Sequence, residues 1–516
     1  MKRIVFLIIA SMLVLGLVLP GCGETTPTEE VIYTFEDGEI VIGIAGEVGH
    51  ATGDMQMLGA TMAAGAINGA GGVVIDGVAH NITLQVVDTK EVSDETGETG
   101  YTALAAAIDD LDLVMGGFRT ESLEVYREVV MDAEKIFLCC GASTEALSHS
   151  VVDDYDTYKY WFKITPPNEY FLADSVLRIV DTAAIQMREA LNMTPGANLN
   201  ACIVAEDLKW SAIEQVPVYE AGLPALNITN LKTYLVSALD PVSTQGAIAD
   251  IAANYDPHII IPVYSGTMGV AYAGTLLSYI GNEALGPMSI GINVYSQLKA
   301  PWEGTLDTPP PGGPYCAYGI TLDTWAEGLE QTSQTTPFLA AFMAYAGDYP
   351  LYTASTYDGA LMLQACLEEV GYVEAGVGKA KADDIITWWE TPANAIETTV
   401  GSACAYQPNE LTPAGLTEAQ VRAIYDIDSY GYTYVASDWP MSPFTSHDLA
   451  YGPGLVTALG AQWQWDADAS QWKKVGIWPA VIPGVDLVDQ YGDWNFEHSG
   501  TVDLIIPPWV IPHFGS

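Results

Sequence analysis

The stretch 111–147, LDLVMGGFRTESLEVYREVVMDAEKIFLCCGASTEAL, constrains the fold more than any other part of the chain. Leu113, Val114 and Met115 form a short apolar run that ends in Gly116-Gly117. A helical segment is predicted over 121–133, because Leu123, Tyr126, Val129 and Val130 recur at the spacing of one helix face. Ile136-Phe137-Leu138 is a second apolar run, ending in the small residues Gly141-Ala142-Ser143-Thr144. Strand, small polar loop, helix, strand, small polar loop is the order of a parallel α/β sheet, whose strands are buried on both faces and therefore carry continuous apolar runs. Ligands of such sheets sit beyond the carboxyl ends of the strands, so residues 118–122 and 141–144 are expected to face one crevice. A helix N-terminus there also offers unpaired N–H groups to an anion.

The N-terminus reads as a secretory signal: Met1-Lys2-Arg3 precedes an apolar run over 4–19 that is short for a membrane span. Leu19-Pro20-Gly21-Cys22 resembles a bacterial lipobox, which implies cleavage before Cys22 and diacylation of its thiol. An uncleaved anchor helix is the alternative, and it leaves the rest of the chain on the same face of the membrane. Residues 23–37, rich in Thr, Pro and Glu, are expected to form a flexible tether. No second long apolar run follows, so the remainder is expected to lie outside the membrane. The net charge of −47 arises from 18 Lys+Arg against 65 Asp+Glu, which argues against nucleic acid and anionic lipid as partners. Besides Cys22 there are Cys139, Cys140, Cys202, Cys316, Cys366 and Cys404. Disulfides are permitted outside the cell, and a bridge from Cys404 to Cys366 or Cys316 is the expected one.

Further runs extend the alternation: a strand over 40–45, a helix over 55–67 stopped by Asn68-Gly69-Ala70-Gly71-Gly72, a strand over 82–87 and a helix over 99–111. The glycines lie at the far end of the first helix, so no Gly-x-Gly-x-x-Gly opens it, which argues against a dinucleotide site. Gly-x-Ser-x-Gly, His-Glu-x-x-His, Cys-x-x-Cys and a phosphate loop are absent from the sequence. The carboxylate pairs Asp109-Asp110 and Asp153-Asp154 read as solvated surface. An enzyme is therefore not expected, nor a metal or other cofactor.

Three segments together, IVIGIAGEVGHATGDMQMLGATMAAGAINGAGGV, then LVMGGF with KIFLCCGASTEAL, and FKITPPNEY, resemble the extracytoplasmic solute-binding proteins of branched-chain amino acid type ABC transporters. The resemblance implies an α/β fold of two Rossmann-like lobes with parallel central sheets joined by hinge strands, the type I periplasmic-binding-protein fold, here with a C-terminal elaboration. It places a signal peptide at 1–21, a tether at 22–38, the first lobe at 39–165 and 321–371, the second at 166–320 and 442–485, an insertion at 372–441 and a tail at 486–516. The insertion is expected to lie away from the interlobe crevice. The implied role is capture of a small polar or carboxylate ligand (an amino acid, amide or carboxylate) for delivery to an ABC permease by a lipid-anchored protein outside the cytoplasm. A sensory receptor of the same fold is the alternative.

Position by position, the resemblance assigns ligand contacts to Thr120, to the backbone at Ala142 and to Ser143; a loop slip of one residue would replace Thr120 by Arg119 or Glu121. From the facing lobe it assigns Trp210 and Tyr264, with Tyr352 as a further aromatic wall. Thr52 replaces an aromatic of the first loop, and His50 beside it is a candidate contact that could equally be an exposed loop residue. Arg119 is a guanidinium in a ligand-facing loop of a chain poor in bases, suited either to a ligand carboxylate or to pairing with Glu121 or Glu124. Asn293 stands where amino-acid binders carry an acidic partner for the ligand's ammonium. Plain carboxylates are therefore expected to bind better than amino-acid zwitterions.

Overall fold

The computed structural model describes residues 31–35, 38–94, 96–374, 377–406, 446–452, 454–481, 488–489, 492–493 and 496–515. A short strand β1 (Ile32–Phe35) precedes the first lobe. That lobe is built on β2 (Glu39–Gly46), β3 (Val73–Ile75), β4 (Val78–Asp88), β5 (Leu113–Gly116), β6 (Phe137–Cys139) and β7 (Trp161–Lys163). Their spatial order is β3-β4-β2-β5-β6-β7, and every neighbouring pair is parallel except the β3–β4 hairpin. The connections run through α1 (Ala51–Gly69), α2 (Glu98–Ala107), α3 (Thr120–Asp132), α4 (Glu145–Asp153) and α5 (Tyr155–Tyr158). α1 starts before residue 55 because His50 adopts an extended backbone and its ring accepts from the Thr52 N–H, which caps the helix.

The chain crosses at 164–168 into α6 (Glu169–Ala190), which opens the second lobe. There β8 (Asn200–Glu206), α7 (Val216–Gly222), β9 (Asn230–Val236), α8 (Pro241–Asn254), β10 (Ile259–Tyr264), α9 (Met268–Gly281), β11 (Met288–Asn293) and β12 (Ile320–Asp323) follow. The chain then returns to the first lobe through α10 (Thr335–Ala346) and α11 (Thr356–Val370), the latter packing on α1. Beyond α11, β13 (Tyr372–Glu374) and β14 (Val377–Lys381) join β1 in a small antiparallel sheet, and α12 (Ala382–Trp389) lies against α11. Asp448 and Leu449 remain on the first lobe, bridging to Lys163 and Tyr406, while Tyr451 already stacks on Phe171 of α6 at 4.5 Å, so the last crossing comes after residue 449. Finally β15 (Leu459–Asp466) and β16 (Gln471–Trp478) complete the second sheet, of order β16-β15-β12-β11-β10-β8-β9. β8 to β12 pair in parallel, while β15 and β16 add antiparallel.

The two-lobe α/β architecture is thus the expected one. In each sheet the strand order reverses at one place, at β2/β5 in the first lobe and at β8/β10 in the second. Loops on either side of such a reversal run to opposite faces and leave a crevice between them. Both crevices open toward the other lobe, and an interlobe pocket lies where they meet.

The C-terminal residues, which the sequence pattern left unplaced, pack on the second lobe: Trp509 donates its indole N–H to the Pro287 carbonyl at 2.9 Å, and Phe514 stacks on His258 at 4.3 Å. The described part of the insertion braces the first lobe. Thr399 gives its N–H and hydroxyl to the buried Asp358 carboxylate at 2.7 and 2.9 Å, and it accepts the Trp325 indole N–H at 3.0 Å. The bridge expected at Cys404 is not present: Cys139, Cys140, Cys202, Cys316, Cys366 and Cys404 are all free and buried. Cys404 contacts the Thr398 hydroxyl at 3.1 Å instead. In the core a thiol packs as a small apolar side chain and needs no partner.

Candidate ligand-binding site

The interlobe crevice holds about 620 Å³ of empty space with the open solvent at its mouth included. Its first-lobe wall comes from the loop after β5 (Phe118, Arg119, Thr120) and the loop after β6 (Gly141, Ser143), with Tyr352 beside them. The two loops are held together by small residues. A Cβ on Gly141 would lie 2.0 Å from the Gly117 carbonyl oxygen, and one on Gly116, at φ +117°, would lie 2.1 Å from that of Ala45. The second-lobe wall comes from Leu172, Trp210, Ser265, Ile292 and Val294, and the crossing segments supply Pro166, Pro167, Leu322, Asp323 and Ala458. Most of this lining is apolar.

Arg119 is the exception that gives the crevice its chemistry. It caps α3, is 2 % exposed, and its Nε and Nη1 have no hydrogen-bond partner. Glu121 and Glu124, the alternative partners, are turned to the second lobe, where the Lys209 N–H donates to Glu121 at 2.9 Å and the Lys209 ammonium pairs with Glu124. The guanidinium sits 5.8 Å from the Phe118 ring centroid. Its nearest buried carboxylates are engaged elsewhere. Glu91 accepts from the N–H groups of Phe118 and Arg119 at 2.8 and 3.0 Å and from the Tyr126 hydroxyl at 2.8 Å. Glu206, at the end of β8, accepts the Ser265 N–H at 2.8 Å and hydroxyl at 2.6 Å through Oε2, while its Oε1 is buried without a partner. Burial pushes both carboxyls up, opposed in Glu206 chiefly by Arg119 and in Glu91 chiefly by the Tyr126 hydroxyl. The Trp210 indole N–H is a further buried donor with no partner. Unpartnered buried donors and acceptors cost free energy, and a ligand that completes them recovers it.

The floor is held by an ion pair between Asp323 and Lys474, both fully buried. The Lys474 ammonium also donates to the Gln297 carbonyl at 2.8 Å and lies 4.7 Å from the Tyr349 ring centroid, while Asp323 accepts the N–H groups of Thr324 and Trp325. This pair joins β12, where the chain leaves the second lobe, to the outermost strand β16. Across the mouth the lobes touch: Thr144 donates to Glu214 at 2.7 Å, and His50 Nε2 lies 3.3 Å from the Tyr295 hydroxyl. The lobes are therefore closed over the crevice.

Of the residues singled out from sequence, Arg119, Thr120, Ser143, Trp210 and Tyr352 line this crevice. Tyr352 donates its hydroxyl to the Gly141 carbonyl at 3.2 Å. Tyr264, Asn293 and Ala142 do not line it, and for Tyr264 and Asn293 the cause is strand alternation. Ser265 faces the crevice, so Tyr264 points to the opposite face, where its hydroxyl lies 3.2 Å from that of Thr244. Ile292 and Val294 face it, so Asn293 between them turns toward α9 and donates to the Gly269 carbonyl at 3.0 Å. Ala142 is buried between the lining residues Gly141 and Ser143. Thr52 and His50 serve the start of α1, with the Thr52 hydroxyl 2.8 Å from His50 Nδ1. Burial holds the His50 imidazole below its ordinary pKa. Cys22 lies outside the described residues. Glu206 and the Asp323–Lys474 pair were not singled out, although Glu206 stands as a carboxylate at the end of the apolar run 201–205, a signal that could have marked it.

No family model and no curated protein matches the sequence. Solved structures do share its fold. A putative branched-chain amino acid ABC transporter from Silicibacter pomeroyi superposes with a TM-score of 0.58 at 15% identity, covering 91% of this chain and all of that one. A solute-binding protein of an ABC transporter from R. palustris, in complex with benzoate, gives 0.56 at 13% identity, with 91% and 100% covered. A branched-chain amino acid transporter substrate-binding protein from Streptococcus pneumoniae, in complex with isoleucine, gives 0.54 at 13%, with 85% and 99% covered. The chain therefore has the two-lobe fold of ABC-transporter solute-binding proteins.

Proposed function

We propose that this chain is an extracytoplasmic solute-binding protein, anchored through a lipid on Cys22, that closes its two lobes over a small carboxylate ligand and presents it to an ABC permease. The observation that carries the reading is the Arg119 guanidinium, buried in the crevice wall with Nε and Nη1 unpartnered. A ligand carboxylate on these two donors would form a charge-assisted pair, with the Thr120 and Ser143 hydroxyls beside it and the hydrocarbon body against Leu172, Ile292, Val294 and Leu322. Such a ligand engages both lobes only when they are closed, so its affinity for the closed form drives closure. Without it, closure buries a guanidinium that water would otherwise solvate, which favours reopening. The complexes with benzoate and isoleucine among proteins of this fold supply the size class to search.

The unpartnered Glu206 Oε1 favours a second reading, in which the ligand is a zwitterion whose ammonium meets Glu206 and whose carboxylate meets Arg119. That reading reverses the expectation drawn from Asn293, which does not face the crevice. A thermal-shift panel of amino acids, amides, and aliphatic and aromatic carboxylates tests both. A ligand at ~100 times its dissociation constant stabilises the protein by about 2.7 kcal/mol. Stabilisation by amides alone, or by no member of the panel, refutes the carboxylate reading. Leucine against 4-methylpentanoate separates the zwitterion from the plain acid.

A further inference from the structure

Beside the ligand crevice, the seam between the lobes carries carboxylates that the ligand site does not use. Glu214, in the second lobe, accepts the Thr144 hydroxyl of the first lobe at 2.7 Å through Oε1, and its Oε2 is buried without a partner. Glu169, in the first turn of α6 and 2 % exposed, accepts the N–H of Glu145 at 2.6 Å. From α3, Glu121 takes the Lys209 N–H and Glu124 the Lys209 ammonium. Lys163, on β7, is committed to Asp448 at 3.2 Å and to the Ser143 carbonyl at 3.2 Å. Glu121, Glu124, Glu145, Glu169 and Glu214 thus converge on a seam where Lys209 and Lys163 are the cations. Glu145 and Glu169 are buried and Glu121, Glu124 and Glu214 half-buried, and carboxylates gathered in such a seam raise one another's cost of ionising.

We propose that this seam is a proton-linked latch: closing the lobes takes up a proton at Glu214, among its carboxylate neighbours, so mild acid favours the closed clamp and alkali opens it. When the lobes part, Thr144, Glu121, Glu124 and Glu145 leave with the first lobe, and Glu214 is left in water beside Lys209. In the closed form burial, with Glu124 and Glu121 adding, raises the Glu214 carboxyl from 4.5 to about 7 against the pull of Thr144 and Lys209. Burial, then Glu214 and Glu145, raises Glu169 well above its ordinary value. The sign follows. A carboxyl whose pKa rises on closure favours closure fully below its open-state value, and that advantage is lost as pH climbs to the closed-state value. One proton gives a change of up to about tenfold in the closed-to-open ratio per pH unit, here between about pH 5 and pH 7.

The latch rests on the clamp motion of the proposed function, but its test needs no ligand, so the failure of one is distinguishable from that of the other. Spin labels are placed on Tyr101→Cys in α2 and Val242→Cys in α8, both exposed positions, in the full chain carrying Cys22→Ser. The six remaining thiols are buried and stay unlabelled. Interlobe distances by pulsed paramagnetic resonance are expected to shift from closed to open as pH rises from about 5 to about 7 and to change no further above that. Glu214→Gln is expected to show a smaller shift than the wild type over that range, and Glu169→Gln replaces it if its melting curve shows a folding defect. A wild-type distance distribution that is the same at pH 5 and pH 8, or a Glu→Gln variant that follows the wild-type titration, overturns the proposal.

Discussion

Replacing Lys474 by Met removes the cation from the floor of the crevice while keeping most of its volume. The ammonium is fully buried on Asp323 and on the Gln297 carbonyl, so the substitution leaves the Asp323 carboxylate with the N–H groups of Thr324 and Trp325 alone. Breaking a buried pair by removing one partner costs about 3–5 kcal/mol, because the remaining charge is desolvated without compensation. Burial already raises the Asp323 carboxyl, and Lys474 is the principal opposing influence. Without it the carboxyl rises further, so the folded state is penalised at high pH and relieved where Asp323 is protonated. Urea unfolding followed by tryptophan fluorescence should therefore show a deficit of about 3–5 kcal/mol near pH 8 and a smaller one near pH 5. Adding Asp323→Asn should restore most of the loss, since neither charge is then buried alone. A deficit below about 1 kcal/mol, a deficit independent of pH, or no recovery in the double variant would refute the reasoning.

Gly141→Ala should destabilise the first lobe and abolish ligand binding, because a methyl group would press on the Gly117 carbonyl and the Phe118 Cα, both backbone; a melting temperature equal to wild type contradicts it. Under native conditions the six described thiols should resist maleimide labelling, since all are buried and burial raises Cys139, Cys140 and Cys316; in urea all should react, and reductant should leave the melting curve unchanged. Asp358 is raised from 3.8 to about 6 by burial, so its contribution to stability is present below about pH 4 and lost as pH rises through about 6. Asp358→Asn should flatten the pH dependence of stability across that window, and an unchanged slope counts against it.

The parallel sheets were legible because a strand buried on both faces leaves a continuous apolar run, as at 113–115 and 136–138, and because the small residues after each run can only be loops. The same logic put Arg119, Thr120 and Ser143 at the crevice, since position after a strand end needs no knowledge of side-chain direction. Tyr264 and Asn293 were assigned by resemblance alone, and in the structure their chain neighbours Ser265, Ile292 and Val294 line the crevice instead: alternation turns a difference of one position into the opposite face of the sheet. The Asp323–Lys474 pair joins residues far apart in sequence through antiparallel strands added at the sheet edge, and no local pattern announces such a contact. Cysteine count likewise carries no geometry, which is why an expected bridge proved to be separate core thiols.

Calorimetric titration of the wild type and of Arg119→Met with benzoate, leucine and 4-methylpentanoate tests the central claim, that a buried guanidinium in the crevice receives a ligand carboxylate. At least one of these acids is predicted to bind the wild type. Loss of the charged partner should then weaken that acid by about 2–5 kcal/mol, roughly thirtyfold to several thousandfold. Binding of none of them by the wild type, or an affinity unchanged in Arg119→Met, would contradict it.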